Sequence, residues 1–165
     1  MQHLWSPWRM KYIRSNRASQ GCIFCNALES MDDEKHLVVH RGQHAFVILN
    51  KFPYTSGHVM VVPNAHIDEF NKMDTETCAE VMVLIRNSIA AIDTVYQPDG
   101  YNMGANLGAS AGAGIADHIH FHIVPRWEGD TNYMTAIGQT RVLPEDLCET
   151  FNQLRKVWPQ EEPKE

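Results

Sequence analysis

Hydrophobic positions in the first half of the chain form short runs typical of β-strands. HLVVH and HAFVILN are rich in β-branched residues and are separated by Arg41 and Gly42, which predicts a hairpin. A third run, HVMVVP, follows the loop KFPYTSG, where Pro53 and Gly57 interrupt regular structure. We therefore expect three antiparallel strands joined as a meander.

The pattern changes to a helical period in the middle of the chain. Asp74 is a suitable N-cap for a helix from Thr75 to about Tyr96, in which apolar residues recur at steps of three and four. These apolar positions are Cys78, Val81, Met82, Ile85, Ile89, Ile92 and Tyr96. One long amphipathic helix is therefore expected, with this stripe directed toward the core.

Two more strands and a second helix are predicted after the long helix. YNMGANL and HIHFHIVP have strand character, and the second run ends at Pro125. Helical periodicity returns from about residue 144 to residue 158, with Pro144 suited to the first turn. The expected fold is α+β: a five-stranded antiparallel sheet with helices packed on one face, in a single domain spanning residues 1–165.

Composition and charge narrow the class of protein. Hydrophobic residues make up 44% of the chain and charged residues 21%, which is typical of a globular protein with a complete core. The formal net charge of -6 argues against a general nucleic-acid binder, because such proteins gain affinity from basic surfaces. Apolar runs are shorter than the roughly 18 to 20 residues that span a bilayer, and the N-terminus lacks the apolar core of a signal peptide. We expect a cytoplasmic protein that binds neither nucleic acid nor membranes.

Three histidines occupy alternate positions of the fifth predicted strand. In ADHIHFHIVPRW, His118, His120 and His122 would project from one face of the strand and the intervening apolar residues from the other. With the apolar set toward the core, the histidines would face a cleft or solvent. A single metal ion is not easily reached by all three from a straight strand, although ligation shared with other residues is easier. The row also suits nucleophilic chemistry, because neighbouring groups can fix the tautomer of one neutral ring.

The segment before this strand offers hydrogen-bond donors. GANLGASAGAGIAD is rich in glycine and alanine, so backbone amides between Asn106 and Ile115 can approach a ligand closely, as in phosphate-binding loops. A flexible hairpin connection is the alternative interpretation of this loop taken alone. Its position directly before three histidines favours the phosphate-binding interpretation.

Two of the four cysteines are close neighbours. Cys22 and Cys25 form the motif CIFC, whose spacing fits either half of a zinc site or a redox pair. The spacing alone leaves both alternatives open.

The run HIHFHIV resembles the signature of the histidine-triad (HIT) superfamily, in which histidines alternate with apolar residues. The similarity extends to FVILNKFPYTSGHVMVVPNAHI upstream and PRWEGDTNYM downstream, so it covers about residues 22–134. The N-terminal LWSPWRMKYI resembles the start of bacterial proteins related to diadenosine tetraphosphate phosphorylases. The resemblance implies a HIT-like fold, a homodimer and a site that binds a nucleotide.

The resemblance also implies a role for each residue that matches the family's motif. His120 would attack the α-phosphorus of a nucleotide and form a covalent nucleotidyl-histidine. His122 and His58 would contact the phosphate oxygens, as would Asn106 and the amides of the glycine-rich loop. Asn50 matches the position at which the family contacts the ribose.

The chain departs from the family pattern just before the triad. Some branches have glutamine, serine or threonine at positions that here hold Gly114 and Ile115. A side-chain donor to the phosphate or the leaving group is therefore missing at these substrate-facing positions.

The resemblance gives the CIFC motif a more specific meaning. Some bacterial members bind structural zinc through such a cysteine pair, a histidine after the second long strand and the first histidine of the triad. The matching residues here are Cys22, Cys25, His66 and His118. Two sulfur and two nitrogen ligands suit tetrahedral Zn²⁺.

The combined motifs favour a nucleotidyl hydrolase or transferase that cleaves dinucleoside polyphosphates, such as diadenosine tri- or tetraphosphate. A purine nucleoside phosphoramidase is the alternative enzyme. A zinc-stabilised nucleotide-binding protein with only incidental catalysis is the alternative from another class. The sequence leaves open whether water or phosphate accepts the nucleotidyl group.

Overall fold

A computed structural model describes residues 21–130 and 144–159 of the 165-residue chain. The segment LWSPWRMKYI and the end of PRWEGDTNYM lie outside the described residues. Five strands form one antiparallel sheet in the order β1-β2-β3-β5-β4. The strands are β1 (Val38–Arg41), β2 (Ala45–Leu49), β3 (Val59–Pro63), β4 (Gly100–Gly104) and β5 (Phe121–Arg126). The predicted five-stranded sheet and the meander of its first three strands are confirmed.

Two short helices precede the sheet where the sequence indicated only a cysteine motif and a charged turn. They are α1 (Ile23–Glu29) and α2 (Asp33–His36). The backbone carbonyl of Cys22 accepts a hydrogen bond from the Asn26 amide at 3.0 Å. Asp32 caps α2 by accepting from the Lys35 amide at 3.1 Å. Both helices are too short to show a periodic pattern.

The long helix α3 (Thr75–Tyr96) has the predicted bounds. The Asp74 side chain accepts a hydrogen bond from the Thr77 amide at 2.6 Å, as expected of an N-cap. The buried stripe is rotated from the predicted one, because Met82 is 59% exposed whereas Leu84 is buried. Its buried residues are Thr77, Val81, Leu84, Ile85, Ser88, Ala91 and Ile92.

The C-terminal helix α4 (Leu147–Lys156) begins three residues after Pro144. Asp146 caps it by accepting from the amides of Cys148 and Glu149 at 2.8 and 2.9 Å. The predicted place of Pro144 in the first turn was therefore wrong, since the capping carboxylate sets the start of the helix.

The sheet is covered on both faces, whereas helices were expected on only one. On one face, Val47, Val61 and Ile123 pack in a cluster that includes α3 and α4. On the other face, alternate residues of β2 and β3 pack against Phe24 and Ala27 of α1. This second face also carries His122, since it lies opposite Met60 in the pairing of β3 with β5. Within residues 21–130 and 144–159, no helix has the length and apolar character to cross a membrane.

Glu80 of α3 fixes the turn between β1 and β2. Its carboxylate accepts hydrogen bonds from three successive backbone amides, at 2.8 Å from Gln43, at 3.0 Å from Ala45 and also from His44. A Cβ atom on Gly42 would lie 2.5 Å from Glu80 Oε1, so the close approach of this carboxylate requires glycine at that position.

We expect Glu80→Ala to lower the free energy of unfolding by about 1–3 kcal/mol, because three amides lose a charged acceptor. Urea denaturation followed by circular dichroism measures this change. Glu76→Ala, at an exposed position of the same helix, serves as the control and should change stability by no more than about 0.5 kcal/mol. Equal stability of Glu80→Ala and the control would contradict the structural role of this carboxylate.

Candidate functional site

The three histidines of the motif lie at the start of β5 and immediately before it. His122 is a strand residue that pairs with Met60 of β3 and Gly104 of β4. His118 and His120 precede the first strand residue, Phe121. The predicted row along a single strand is therefore only partly correct.

Two of the three histidines are buried. His118 is 1% exposed and His120 is 5% exposed. The expectation that the histidines face a cleft or solvent was wrong for His118, whereas His120 is largely buried but still lines the cleft described below. Phe24 of α1 lies against both imidazoles, with ring centroids 5.3 and 5.1 Å away. Burial lowers the pKa of His118 and of His120, an effect that hydrogen bonds to backbone carbonyls partly oppose. Both rings therefore favour the neutral form.

Backbone carbonyls fix the tautomers of these two rings. His120 Nδ1 lies 2.9 Å from the His118 carbonyl oxygen, and His118 Nε2 lies 2.9 Å from the Pro63 carbonyl oxygen. A carbonyl can only accept, so each of these nitrogens carries a proton. In the neutral rings, the lone pair is then on Nε2 of His120 and on Nδ1 of His118.

A second chain of hydrogen bonds fixes the tautomers of His58 and His122. The Tyr54 amide donates to His58 Nδ1 at 3.1 Å, and His58 Nε2 lies 3.0 Å from His122 Nδ1. Because His58 Nδ1 accepts, its Nε2 carries the proton and donates to His122. The neutral His122 ring then holds its proton on Nε2. His58 is 1% exposed and acts from behind His122.

A cleft of about 490 Å³, open to solvent, lies over the second face of the sheet. His120 and His122 line it, together with the four predicted substrate-binding residues Asn50, Asn106, Gly114 and Ile115. The fold therefore brings the loop after β2, the glycine-rich loop and the motif to one cavity. The imidazoles of His120 and His122 have ring centroids 5.0 Å apart.

Other lining residues were not expected from the sequence. They are Phe52, Tyr54 and Met60, whereas Gly112 belongs to the glycine-rich loop that was expected to line a ligand site. Phe52 and Tyr54 belong to KFPYTSG, which the sequence indicated only as a loop. The one signal in the sequence for these two residues is that both are aromatic and lie between two strands, six and four positions before His58.

Three contacts restrain the asparagines of the cleft. Asn50 Oδ1 accepts from the Phe52 amide at 2.9 Å, and Asn50 Nδ2 lies 3.5 Å from His58 Nδ1, the accepting nitrogen of that ring. Asn106 Nδ2 lies 3.5 Å from the carbonyl oxygen of Gly112, across the glycine-rich loop. Asn50 is thus restrained by its own loop and by His58, and Asn106 is restrained by the glycine-rich loop.

A cluster of two cysteines and two histidines lies beside the cleft. The ligand atoms of Cys22, Cys25, His66 and His118 are all within 4.8 Å of one another. Cys22 Sγ is 3.3 Å from His118 Nδ1, and Cys25 Sγ is 3.3 Å from His66 Nδ1 and 3.7 Å from His118 Nδ1. Ligand atoms around a tetrahedral ion with metal–ligand bonds of about 2.0–2.3 Å are roughly 3.3–3.8 Å apart. The cluster could hold a metal ion with little rearrangement.

The surroundings of the cluster suit ligation. The hydrogen bond from His118 Nε2 to the Pro63 carbonyl leaves the Nδ1 lone pair on the side of the cysteines. Burial, followed by the neighbouring Cys22, raises the pKa of Cys25 to about 11. Since metals bind the thiolate, metal binding at neutral pH would release a proton from Cys25.

The HIT-domain family model matches residues 32–129, which is more than half of the chain. The chain belongs to the HIT family. An AP-4-A phosphorylase of Mycobacterium tuberculosis is 37% identical to this HIT protein over 165 residues, covering 96% of this chain and 85% of the relative. An adenosine 5′-monophosphoramidase of Schizosaccharomyces pombe is 30% identical over 105 residues, covering 64% of this chain and 74% of the relative.

A solved structure of a zinc-bound histidine triad family protein from Mycobacterium smegmatis is also similar to this HIT protein. The TM-score is 0.67 and the sequence identity is 28%, and the alignment covers 82% of this chain and 91% of the other. The predicted HIT-like fold is confirmed.

We expect the cysteine–histidine cluster of this HIT protein to bind one Co²⁺ per chain with the absorption bands of tetrahedral thiolate coordination. Spectroscopic titration of the metal-free protein measures this. Cys22→Ser and Cys25→Ser should lose the thiolate bands, because each removes a sulfur ligand. Cys78→Ser and Cys148→Ser change cysteines outside the cluster and should bind as the parent does. Identical titrations for all four variants would contradict the assignment of the ligands.

Proposed function

We propose that this HIT protein cleaves dinucleoside polyphosphates, such as diadenosine tri- or tetraphosphate, at an α-phosphate through a covalent nucleotidyl-His120 intermediate. At the level of class, the chain is a HIT-family nucleotide hydrolase or phosphorylase. The observation that carries the proposal is the state of His120. Its Nδ1 is held by the His118 carbonyl, and the ring with the unprotonated Nε2 lines the cleft.

In the first step, the lone pair of His120 Nε2 attacks the α-phosphorus. The bond from that phosphorus to the bridging oxygen breaks, and the electron pair leaves with the departing nucleotide. Attack on diadenosine tetraphosphate gives adenylyl-His120 and ATP. The fixed tautomer favours this step, because the ring needs no reorganisation before it attacks.

Neighbouring donors would stabilise the negative charge that develops on the phosphate oxygens. His122 would donate from Nε2–H, and the hydrogen bond from His58 to His122 Nδ1 maintains that tautomer. Asn106 and amides of the glycine-rich loop lie along the same cleft. Asn50 would contact the ribose.

The positions just before the motif supply no side-chain donor. Gly114 lines the cleft without a side chain, and Ile115 packs against the apolar cluster around Phe24. We infer that backbone amides donate hydrogen bonds to the phosphate there. Because no side chain at these positions can protonate the leaving group, it must depart as an anion. A polyphosphate leaving group meets this requirement, since its phosphate chain is a stable anion without protonation.

The second step transfers the adenylyl group from His120 Nε2 to an acceptor oxygen and restores the neutral ring. Water as the acceptor gives AMP, and inorganic phosphate gives ADP. The similarity to an AP-4-A phosphorylase over 96% of this chain supports phosphate as the acceptor.

Purine nucleoside phosphoramidate cleavage is the second candidate, favoured by the similarity to an adenosine 5′-monophosphoramidase. It would use the same His120 adduct with an amine as the leaving group. The third candidate is a nucleotide-binding protein whose catalysis is incidental. A homodimer remains our expectation from the family resemblance, and a cytoplasmic location remains our expectation from the sequence pattern.

We propose zinc as the ion of the cysteine–histidine cluster, with a structural role. Bound there, the ion would tie α1 to the residues before β5, since Cys22 is the N-cap of that helix, Cys25 lies in its first turn and His118 belongs to the motif. The two-sulfur, two-nitrogen donor set fits Zn²⁺. Elemental analysis of the purified protein tests the identity of the metal, and less than about one tenth of an equivalent of zinc would contradict it.

We expect the protein to convert diadenosine tetraphosphate and phosphate to ADP and ATP, and to give AMP and ATP if water is the acceptor. Chromatography of the products with and without phosphate distinguishes the two acceptors. An adenosine phosphoramidate offered at the same concentration tests the second candidate. Faster cleavage of the phosphoramidate, or no cleavage of diadenosine tetraphosphate, would contradict the proposed substrate class.

We expect His120→Ala to lower kcat for diadenosine tetraphosphate by about 10³-fold or more, because the attacking nitrogen is lost. Nucleotide binding should persist, since the other lining residues are unchanged. His36→Ala, in α2, is the matched control and should keep at least half of the activity. A folded His120→Ala protein with full turnover would exclude the covalent mechanism.

A further inference from the structure

Phe24 contacts both His118, which belongs to the cysteine–histidine cluster, and His120, the proposed nucleophile. It is completely buried on α1 between Cys22 and Cys25. Its ring meets His118 edge-on, with centroids 5.3 Å apart and planes at 75°, and meets His120 at 5.1 Å and 46°. Phe24 is outside the set of residues that line the cleft. It therefore touches the reacting ring from the protein side and not from the substrate side.

The hydrogen bond from His120 Nδ1 to the His118 carbonyl does not by itself set the plane of the imidazole. The torsion that rotates a histidine ring about its Cβ–Cγ bond has broad preferences, and one hydrogen bond restrains only one atom of the ring. In-line attack at phosphorus requires the Nε2 lone pair to point along one direction. A packed aromatic ring against the imidazole supplies the missing restraint.

Helix α1 is held firmly enough to serve this purpose. At its start, Cys22 and Cys25 lie against His118 and His66. At its other end, the guanidinium of Arg41 donates to the carbonyl oxygens of Ala27, Leu28 and Ser30 at 2.9, 2.8 and 2.6 Å. The position of the Phe24 ring is thus fixed by anchors on both sides.

We propose that Phe24 is a positioning residue that fixes the plane of the His120 imidazole. We also propose that the cysteine–histidine cluster beside Phe24 fixes the position of its ring. This inference rests on the proposed role of His120 as the nucleophile. The CIFC motif would then not only supply two cysteine ligands but also orient the His120 ring through the phenylalanine between them.

The test compares Phe24→Leu and Phe24→Met with Phe46→Leu. The two Phe24 variants keep an apolar side chain in the core but remove the flat ring, and whichever folds with its full metal content is used. Phe46 is equally buried in the same apolar cluster, and among the described residues its ring has no histidine partner. It therefore controls for the loss of core packing.

Two readouts are measured on each protein. The first is the split between kcat and KM for diadenosine tetraphosphate. The second is the ¹H–¹⁵N resonance of His120 Nδ1–H in the free protein, which requires no activity. We expect the Phe24 variants to lose about 10- to 100-fold in kcat with KM within about twofold, and to shift or broaden the His120 resonance. Phe46→Leu should leave both unchanged at a similar loss in Tm.

Three results would overturn the inference. They are an unchanged His120 resonance in the Phe24 variants, an unchanged kcat in the presence of a shifted resonance, and equal effects of Phe46→Leu on both readouts. Failure of both Phe24 variants to fold would show a purely structural residue and would also overturn it. If the parent protein does not cleave diadenosine tetraphosphate, the proposed function fails, and the resonance alone then decides whether Phe24 orients the ring.

Discussion

The hydrogen bond between His120 Nδ1 and the His118 carbonyl is the interaction on which the site depends. It leaves the lone pair of the neutral ring on Nε2, and it links His120, the proposed nucleophile, to a neighbour that is itself fixed. The His118 side chain bonds to the Pro63 carbonyl on one nitrogen and faces two cysteines on the other. A strand end, a helix and the cysteine–histidine cluster therefore converge on one imidazole.

The sheet makes this convergence possible by using its two faces differently. One face packs against α3 and α4 and carries most of the apolar core. The other is covered only in part, by α1, and its uncovered portion forms the cleft. Because side chains alternate along β3 and β5, these strands contribute apolar residues to the core on one face and line the cleft on the other. In the proposed mechanism, the neutral ring of His120 supplies the nucleophile and the His122 ring supplies a donor, as in sites preorganised for developing charge.

Local signals predicted the elements that local interactions determine. The bounds of α3 followed from the Asp74 cap and the helical period, and the meander followed from three β-branched runs. The burial of His118 and His120 could not be predicted in this way, because Phe24 reaches them from about a hundred positions away in the sequence. The grouping of Cys22, Cys25, His66 and His118 came from the family resemblance and not from spacing. The role inferred for Phe24 required the folded geometry, since an apolar residue between two cysteines carries no signal of its own.

The covalent intermediate is the central claim, and its direct detection is the most decisive measurement. The protein is mixed with diadenosine tetraphosphate without phosphate, quenched in base after milliseconds, digested and examined by mass spectrometry. Phosphoramidates survive base, so the account predicts a peptide that carries one adenylyl group on His120. Turnover without any adduct, or an adduct on His118 or His122 instead, would contradict the assignment of His120 as the nucleophile.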